Sequence, residues 1–246
     1  MSLSSTTGKL LGGALAPLTG AIAAMRRARM FHPDGIVLAA DLAAAPDGAD
    51  LEPLASRLAG PALVRLSSAW WRGDKEWPDV LGLALRLRAS AEPTPRPSPG
   101  DQDLLFATVR RPITTAFAPL STHVHDFLAN DYHAVSPFTV DGVGVARFRA
   151  ISPRPATDAP SRRARLAADV AADRALLTIE IRAGRGAWRP LARLRLLREA
   201  TLDQAALRFD PFRDGRGIRP RGFVHGLRRA AYAASQRLRP SSSGAV

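Results

Sequence analysis

The feature that most constrains the fold is a succession of short apolar segments, each compatible with a β-strand and separated from the next by turn-forming residues. They lie at 35–39, 62–66, 81–87, 104–109, 140–151, 176–181 and 191–197. The later part of 140–151 alternates strictly, with Ala146 and Phe148 on one face and Arg147 and Arg149 on the other. Many short strands before one terminal helix predict an α+β fold, an antiparallel β-barrel with flanking helices.

Helical patterns are fewer. The segment 162–175 follows Pro160-Ser161 and predicts a helix, and a further helix is expected in the second half of 113–128. The segment 209–222 is rich in turn-forming residues, and 223–238 is expected to be helical. We therefore predict three parts. These are an N-terminal apolar helix or anchor at 1–28, a barrel with a C-terminal ligand-bearing helix at 29–239, and a disordered tail at 240–246.

Charge and composition limit the partners. The net charge is +13, but lysine occurs only at Lys9 and Lys75, and the arginines are scattered with few aromatic residues among them. We therefore expect no nucleic-acid partner, since such surfaces combine a basic stripe with stacking rings. The chain has no cysteine, which excludes thiolate ligands, iron–sulfur clusters and disulfides.

The N-terminal segment 10–25 is apolar and uncharged up to Met25. It is too short and too rich in glycine for a membrane span, and we expect an amphipathic helix that lies on the domain or on a membrane surface. The sequence Ala21-Ile22-Ala23 resembles a signal-peptidase site, which keeps export open as the alternative. We expect a cytoplasmic protein, in which this segment either contacts a membrane peripherally or packs on the domain.

Near the C-terminus, Tyr232 follows Arg228 by four residues. On a helix these two side chains share a face, and the guanidinium can favour loss of the phenol proton, whose unperturbed pKa is about 10. A phenolate is the ligand that catalase-type proteins offer to haem iron. By itself the segment is also compatible with a basic helix that carries one half-buried tyrosine.

Several segments, in the same order, resemble haem catalases and their shorter relatives. The segment 29–35 is similar to the family's Arg-x-x-His-x-x-Gly, 64–67 to Val-Arg-Phe-Ser, and 82–87 to Gly-Phe-Ala-x-Lys-Phe. Asp103-Leu104-Leu105 resembles Asp-Leu-Val, and Arg111-Pro112-Ile113 resembles Arg-Asp-Pro-Ile. Phe209-Asp210-Pro211, Gly217-Ile218-Arg219-Pro220 and the Arg228–Tyr232 pair resemble the segment that ends in the proximal tyrosine. The resemblance implies a catalase-like barrel without the large helical domain of full-length catalases.

The resemblance also implies roles for single residues. Tyr232 would ligate the iron of haem b, with Arg228 keeping it ionised, and His32 would be the distal acid–base group, oriented by Ser67. The guanidinium groups implied as partners of the haem propionates are those of Arg29, Arg65 and Arg239. The ring implied to cover a haem face is that of Phe31, and the resemblance also places Phe117 in the pocket.

The chain departs from the family at the distal asparagine, where it has Phe106-Ala107-Thr108-Val109. Thr108 can donate one hydrogen bond but cannot replace an amide, which favours a peroxidase acting on hydrogen peroxide or on organic or lipid hydroperoxides. The alternative is a haem-free barrel that binds an apolar or anionic small molecule. A third hypothesis is a metal-dependent hydrolase built on His123 and His125, which with Asp126 have the spacing of a zinc site on a strand.

Three tryptophans lie close together in the sequence, Trp70, Trp71 and Trp77. The simpler interpretation is core packing under a loop. The alternative is contact with a membrane or with a protein partner, because tryptophan favours boundaries between apolar and polar surroundings.

Overall fold

The computed structural model describes residues 35–46, 49–71, 75–110, 117–134, 136–152, 158–204 and 206–221. The strands within them are β1 (Gly35–Ala44), β2 (Gly60–Ser68), β3 (Leu81–Leu87), β4 (Gln102–Ala107), β5 (Tyr132–Ala134), β6 (Phe138–Val140), β7 (Gly144–Ile151), β8 (Leu176–Ala183), β9 (Arg189–Glu199) and β10 (Ile218–Pro220). The helices are a 3-10 turn (Ala49–Leu51), α1 (Glu52–Leu58), α2 (Ala118–Ser121) and α3 (Arg162–Ala171).

Eight of these strands close into one antiparallel barrel. The order around the barrel is β1-β2-β3-β4-β5-β7-β8-β9, and β9 pairs with β1 to complete the ring. β6 pairs with the same edge of β7 as β5 does, at the other end of that strand, and β10 pairs with β6. The predicted antiparallel barrel is therefore confirmed, and the helices within the described residues are few and short.

Apolar side chains that alternate along the strands fill the barrel interior. In β3, for example, Leu81, Leu83, Leu85 and Leu87 all point inward and are at most 1% exposed. The inward residues of the other barrel strands belong to the same apolar cluster. Burying one such leucine contributes about 1.5–3 kcal/mol. Because the interior is a packed core, a ligand site is expected on the outer surface of the barrel rather than inside it.

A second, smaller apolar cluster covers part of the outer face. Val37 of β1 and Leu63 of β2 point away from the interior, yet both are fully buried because Ala200 and Leu207 pack against them. The backbone N–H of Ala200 also donates to the carbonyl of Val37 at 2.8 Å. The chain that follows β9 therefore folds back across the outside of β1 and β2.

Most strand predictions are confirmed, with bounds that differ by a few residues. The predicted segments 35–39, 62–66, 81–87, 176–181 and 191–197 lie in β1, β2, β3, β8 and β9, and the later part of 140–151 is β7. β4 begins and ends two residues earlier than the predicted 104–109, because Gln102 and Asp103 pair with β3 despite their polar side chains. In the turn-rich segment 209–222, of which the structure describes residues 209–221, the strand found is the short β10.

The helix predicted to follow Ser161 is confirmed as α3, although it ends at Ala171. Its first turn is capped by Ser161, whose hydroxyl accepts a hydrogen bond from the backbone N–H of Ala164 at 3.2 Å. Within the described residues, none of the helices has the length and apolarity needed to cross a membrane.

The helix expected in the second half of 113–128 is wrong. Of its described residues only Ala118–Ser121 is helical, and the chain then turns repeatedly until β5. Asn130 holds these turns: its Oδ1 accepts from the N–H of His123 at 2.9 Å, and its Nδ2 donates to the carbonyls of His123 at 3.0 Å and Asp126 at 2.6 Å. Side chains that bond the nearby backbone in this way compete with helix formation.

The interpretation that the tryptophans pack in the core under a loop is also wrong for two of the three. Trp70 is 46% exposed and Trp77 is 53% exposed. Trp71 packs edge-on against Trp77 with ring centroids 4.9 Å apart. The local sequence gives the spacing of these rings but not their exposure, since among the described residues no strand or helix covers Trp70 and Trp77.

Candidate functional site

A row of small residues crosses the outer face of four neighbouring strands near one end of the barrel. Gly35 of β1 pairs with Ser67 of β2, Ser67 pairs with Gly82 of β3, and Gly82 pairs with Ala107 of β4. Because strand residues alternate, this row lies on the opposite face from the interior leucines. None of the four side chains is larger than a hydroxymethyl group, so the row forms a low floor on the barrel surface.

Arg65 lies beside this floor. Its side chain packs on Gly35, where an added Cβ would lie 2.6 Å from Nε and 2.7 Å from Cζ of Arg65. Gly35 therefore leaves the space that the guanidinium occupies. Ala84, the partner of Arg65 on β3, extends the floor into the next row. A guanidinium at this place could pair with a carboxylate of a ligand, which is the role that the resemblance implies for Arg65 toward a haem propionate.

Of the two hydroxyl groups predicted to be catalytic, Ser67 lies in the row and is 5% exposed, but the hydroxyl of Thr108 is engaged elsewhere. Thr108 Oγ1 accepts from the N–H of Leu81 at 3.1 Å and lies 2.8 Å from Thr122 Oγ1. Thr122 donates its own proton to a carbonyl of α2, so Thr108 donates to Thr122. This arrangement does not favour Thr108 as a donor to a substrate, and Ala107 takes the position in the row.

The other predicted site residues fall into two groups. Phe117, which the resemblance places in a ligand pocket, is 68% exposed at the start of α2. The remaining predicted site residues lie outside the described part of the chain; they are Arg29, Phe31, His32, Arg228, Tyr232 and Arg239. The segments 1–28 and 240–246 and the helix predicted at 223–238 lie outside it as well.

A buried ion pair on the same outer face was not predicted. Arg86 and Asp103 pair across β3 and β4, and both side chains are 0% exposed. The contact is bidentate, with Nε to Oδ1 at 2.8 Å and Nη2 to Oδ2 at 3.0 Å. The sequence did contain an indication of this pair, because Arg86 and Asp103 are residues of opposite charge within two consecutive apolar strands.

This ion pair fastens the chain that leads toward Tyr232. Asp103 Oδ2 accepts from the backbone N–H of Asp210 at 2.7 Å and from Arg213 Nε at 3.2 Å. Arg86 donates to the carbonyl of Arg208, and its guanidinium lies 4.9 Å from the ring centroid of Phe209. The Phe-Asp-Pro segment is therefore held against the outside of β3 and β4 by buried, charge-assisted hydrogen bonds.

His133 is a further residue near the floor. It pairs with Ala107, and its neighbours in β5 point into the barrel core, so its side chain lies on the outer face. Burial lowers the pKa of its imidazole, Asp131 opposes this, and nearby guanidinium groups such as that of Arg149 lower the pKa further. The ring is therefore neutral at pH 7, and in the sequence it was a lone histidine without a pattern around it.

The spacing proposed for a metal site does not bring its side chains together. The segment forms turns instead of a strand, and His125 Nδ1 contacts Glu76 Oε2 at 2.6 Å. Asp126 accepts from the N–H of Leu128 at 2.8 Å. In the described part of the chain, no three histidine, aspartate or glutamate side chains form a group that could hold a metal ion.

Comparison with known proteins adds no assignment: no protein-family model matches the chain, and no curated protein matches its sequence. What the geometry defines is the class of protein, a closed antiparallel β-barrel with a packed interior and a floor of small residues outside β1–β4.

Proposed function

We propose that this chain is a haem-dependent, catalase-like peroxidase acting on hydrogen peroxide or on organic hydroperoxides, including those of lipids. One observation supports the proposal above the others. Gly35, Ser67 and Gly82 were matched to the family in three separate segments, and the register aligns them in one row on one face. Three neighbouring strands could pair in other registers, so this alignment is independent of the sequence match.

On the proximal side, Tyr232 would bind the cofactor as a phenolate. Arg228 would hold the proton off the phenol, because a neighbouring positive charge lowers a phenol pKa. Bound haem would supply the iron at which the O–O bond of a peroxide breaks. The ion pair of Arg86 and Asp103 would fix the start of the chain segment that carries Tyr232.

On the distal side, His32 would take a proton from one peroxide oxygen and return it to the other. Ser67 would orient the imidazole of His32 by a hydrogen bond. Arg65, lying on Gly35, would pair with a propionate, and Arg29 and Arg239 would serve the same purpose.

The floor also bears on the kind of activity. Ala107 provides no amide, and Thr108 donates its proton to Thr122. The distal side therefore lacks a donor at the position where the family has asparagine, which favours reduction of a peroxide with electrons from an organic co-substrate over fast disproportionation of two peroxide molecules. The substrate proposed beside hydrogen peroxide is an organic hydroperoxide, because small residues at Gly82 and Ala107 add little bulk to this face.

The proposal is tested by the absorption spectrum of the protein purified with haem supplied, beside Tyr232→Phe. The chain has two tyrosines, and Tyr132→Phe is the matched control. Tyr132 is buried in the core, and its hydroxyl donates to the carbonyl of Phe127 at 2.8 Å, so its loss costs about 1 kcal/mol of stability. We expect a Soret band with high-spin ferric features that is lost or shifted in Tyr232→Phe and retained in Tyr132→Phe. Equal spectra in all three proteins, or no haem in the parent, would refute the proposal.

A second function is a haem-free barrel that binds an apolar or anionic small molecule on the same floor. The observation that favours it is the absence of a polar donor at Ala107 together with the cation of Arg65 beside Gly35. Such a protein would bind a flat carboxylate without haem, and Arg65→Ala would weaken that binding. Titration with protoporphyrin IX, which has the ring and propionates but no iron, separates this function from iron-dependent binding.

A further inference from the structure

Four large apolar side chains are exposed at one end of the barrel. They are Trp70 at 46%, Trp77 at 53%, Phe117 at 68% and Leu120 at 81% exposure. Single exposed apolar residues are ordinary, but a group of them rimmed by polar residues marks a surface that contacts something else. We refer to these four residues as the aromatic rim.

Hydrogen bonds show that the two segments of the rim share one end of the barrel. The tryptophans lie between the end of β2 and the start of β3, and Phe117 and Leu120 lie in and next to α2. Thr108, just after β4, bonds both to the first residue of β3 and to Thr122 after α2. His125, three residues further on, contacts Glu76 beside Trp77. The rim is therefore formed by adjacent segments.

The tryptophan segment of the rim is held in place, although Trp70 and Trp77 are exposed. The carboxylate of Asp79 is 0% exposed and accepts from the backbone N–H groups of Trp70 at 3.1 Å, Trp71 at 3.3 Å and Val80 at 2.7 Å. The indole N–H of Trp71 donates to the carbonyl of Pro78 at 3.0 Å. Because these bonds fix the backbone, the rings present a preformed surface and lose little conformational freedom on binding.

Charge at this end favours an anionic partner. Lys75 is exposed, with Nζ 5.1 Å from the ring centroid of Trp77, and Arg110 is exposed as well. The carboxylate of Glu76 is turned inward, bonded to the N–H of Arg162, and is 15% exposed. Asp131 is an exposed carboxylate at the same end, so the exposed charged groups described at this end include the two cations Lys75 and Arg110 and this one anion.

We propose that the aromatic rim docks on the surface of a lipid bilayer that contains anionic headgroups. Indole rings prefer the boundary between hydrocarbon and headgroups, protruding leucine and phenylalanine side chains insert below it, and lysine and arginine attract anionic lipid. This docking does not depend on the proposed peroxidase activity. Ser67, Gly82 and Ala107 lie at this end of their strands, so docking would bring the floor to the membrane, and only the resulting preference for lipid hydroperoxides rests on the proposed function.

The test is sedimentation of the full-length protein with vesicles of phosphatidylcholine alone and of phosphatidylcholine with phosphatidylglycerol. The rim variant is Phe117→Ser with Leu120→Ser, and the matched control is Val145→Ser with Leu197→Ser, two residues that are 41% and 43% exposed on β7 and β9. We expect the parent and the control to bind the anionic vesicles, and the rim variant to bind at least about tenfold more weakly. Lys75→Ala should weaken binding to the anionic vesicles by about fivefold and leave neutral vesicles unaffected.

Three results would overturn the docking proposal. These are a parent that does not sediment with anionic vesicles, a rim variant that binds as the parent does, and a control variant that loses binding equally. If light scattering instead shows a dimer that the rim substitutions convert to a monomer, without vesicle binding, the partner is a second copy of this chain. Thermal unfolding of each variant excludes misfolding as the cause of a loss. None of these measurements needs haem, so failure of docking is distinct from failure of the peroxidase proposal.

Discussion

Removing one partner of the buried pair between Arg86 and Asp103 should be among the most damaging conservative changes in the barrel. Both side chains are fully buried, and the pair is bidentate, with distances of 2.8 Å and 3.0 Å. Asp103→Asn keeps the shape of the side chain but leaves the Arg86 guanidinium without its counter-charge. Leaving one buried charge unpaired costs about 3–5 kcal/mol. For a chain of this length that corresponds to a decrease in Tm of roughly 6–20 °C.

The assay is denaturant-induced unfolding of the parent, Asp103→Asn and a control. The control is Asp173→Asn, which removes an exposed ion pair with Arg195 whose side chains are 59% and 53% exposed. Exposed pairs contribute about 0–1 kcal/mol, so this variant should resemble the parent. A double variant, Arg86→Met with Asp103→Leu, removes both charges of this pair and should be clearly more stable than Asp103→Asn.

A second readout follows the segment that the pair fastens. Asp103 Oδ2 accepts from the N–H of Asp210 at 2.7 Å, so Asp103→Asn should release this segment and expose it to trypsin. We expect faster cleavage after Arg208 and Arg213, identified by mass spectrometry under conditions where the barrel stays folded. A loss of less than about 1 kcal/mol in Asp103→Asn, or a double variant as unstable as the single one, would refute the reasoning.

Two further predictions concern Gly35 and Glu76. Gly35→Ala would place a Cβ 2.6 Å from Nε of Arg65, so we expect a loss of about 1–2 kcal/mol in unfolding free energy. In an Arg65→Ala background most of this loss should disappear, and a loss of the same size there would contradict the prediction. Burial raises the pKa of the Glu76 carboxyl, but the N–H of Arg162 and the side chain of His125 lower it more, so the folded pKa lies below the ordinary 4.5. The stability that the ionised Glu76 contributes is therefore complete above pH 4.5 and is lost as the pH falls through the lower, folded pKa. Glu76→Gln should therefore flatten the acid side of a plot of Tm against pH. An unchanged slope would show that other groups cause the acid dependence.

The course of the barrel strands could be predicted from the sequence because each strand alternates between core and surface. β3 is the clearest case, since the period-two pattern of its leucines identifies both the strand and its buried face. The end of α3 was predicted at residue 175 but lies at Ala171, and the turns before β5 were missed. Asn130 bonds the backbone of His123 and Asp126, and propensity does not reveal which side chains will find such partners.

The candidate site was only partly predictable. Ser67 and Arg65 were named through the resemblance, and the structure brings both beside Gly35. Thr108 was chosen for its hydroxyl, but a shift of one residue along a strand changes the face, and Ala107 occupies the row instead. His133 was not distinguished, because its place beside Ala107 arises from the pairing of β4 with β5.

By itself the sequence determined that the chain forms short alternating strands and that these close into an antiparallel barrel, because the spacing of apolar residues sets the period and the buried face of each strand. The tertiary structure alone decided which residues meet. It paired Arg86 with Asp103, aligned Gly35 with Ser67 and Gly82, and placed Trp77 where half of its surface is exposed. The physical reason is that strand register and the path of the chain over the outer face depend on contacts between residues distant in sequence, which a local pattern does not contain.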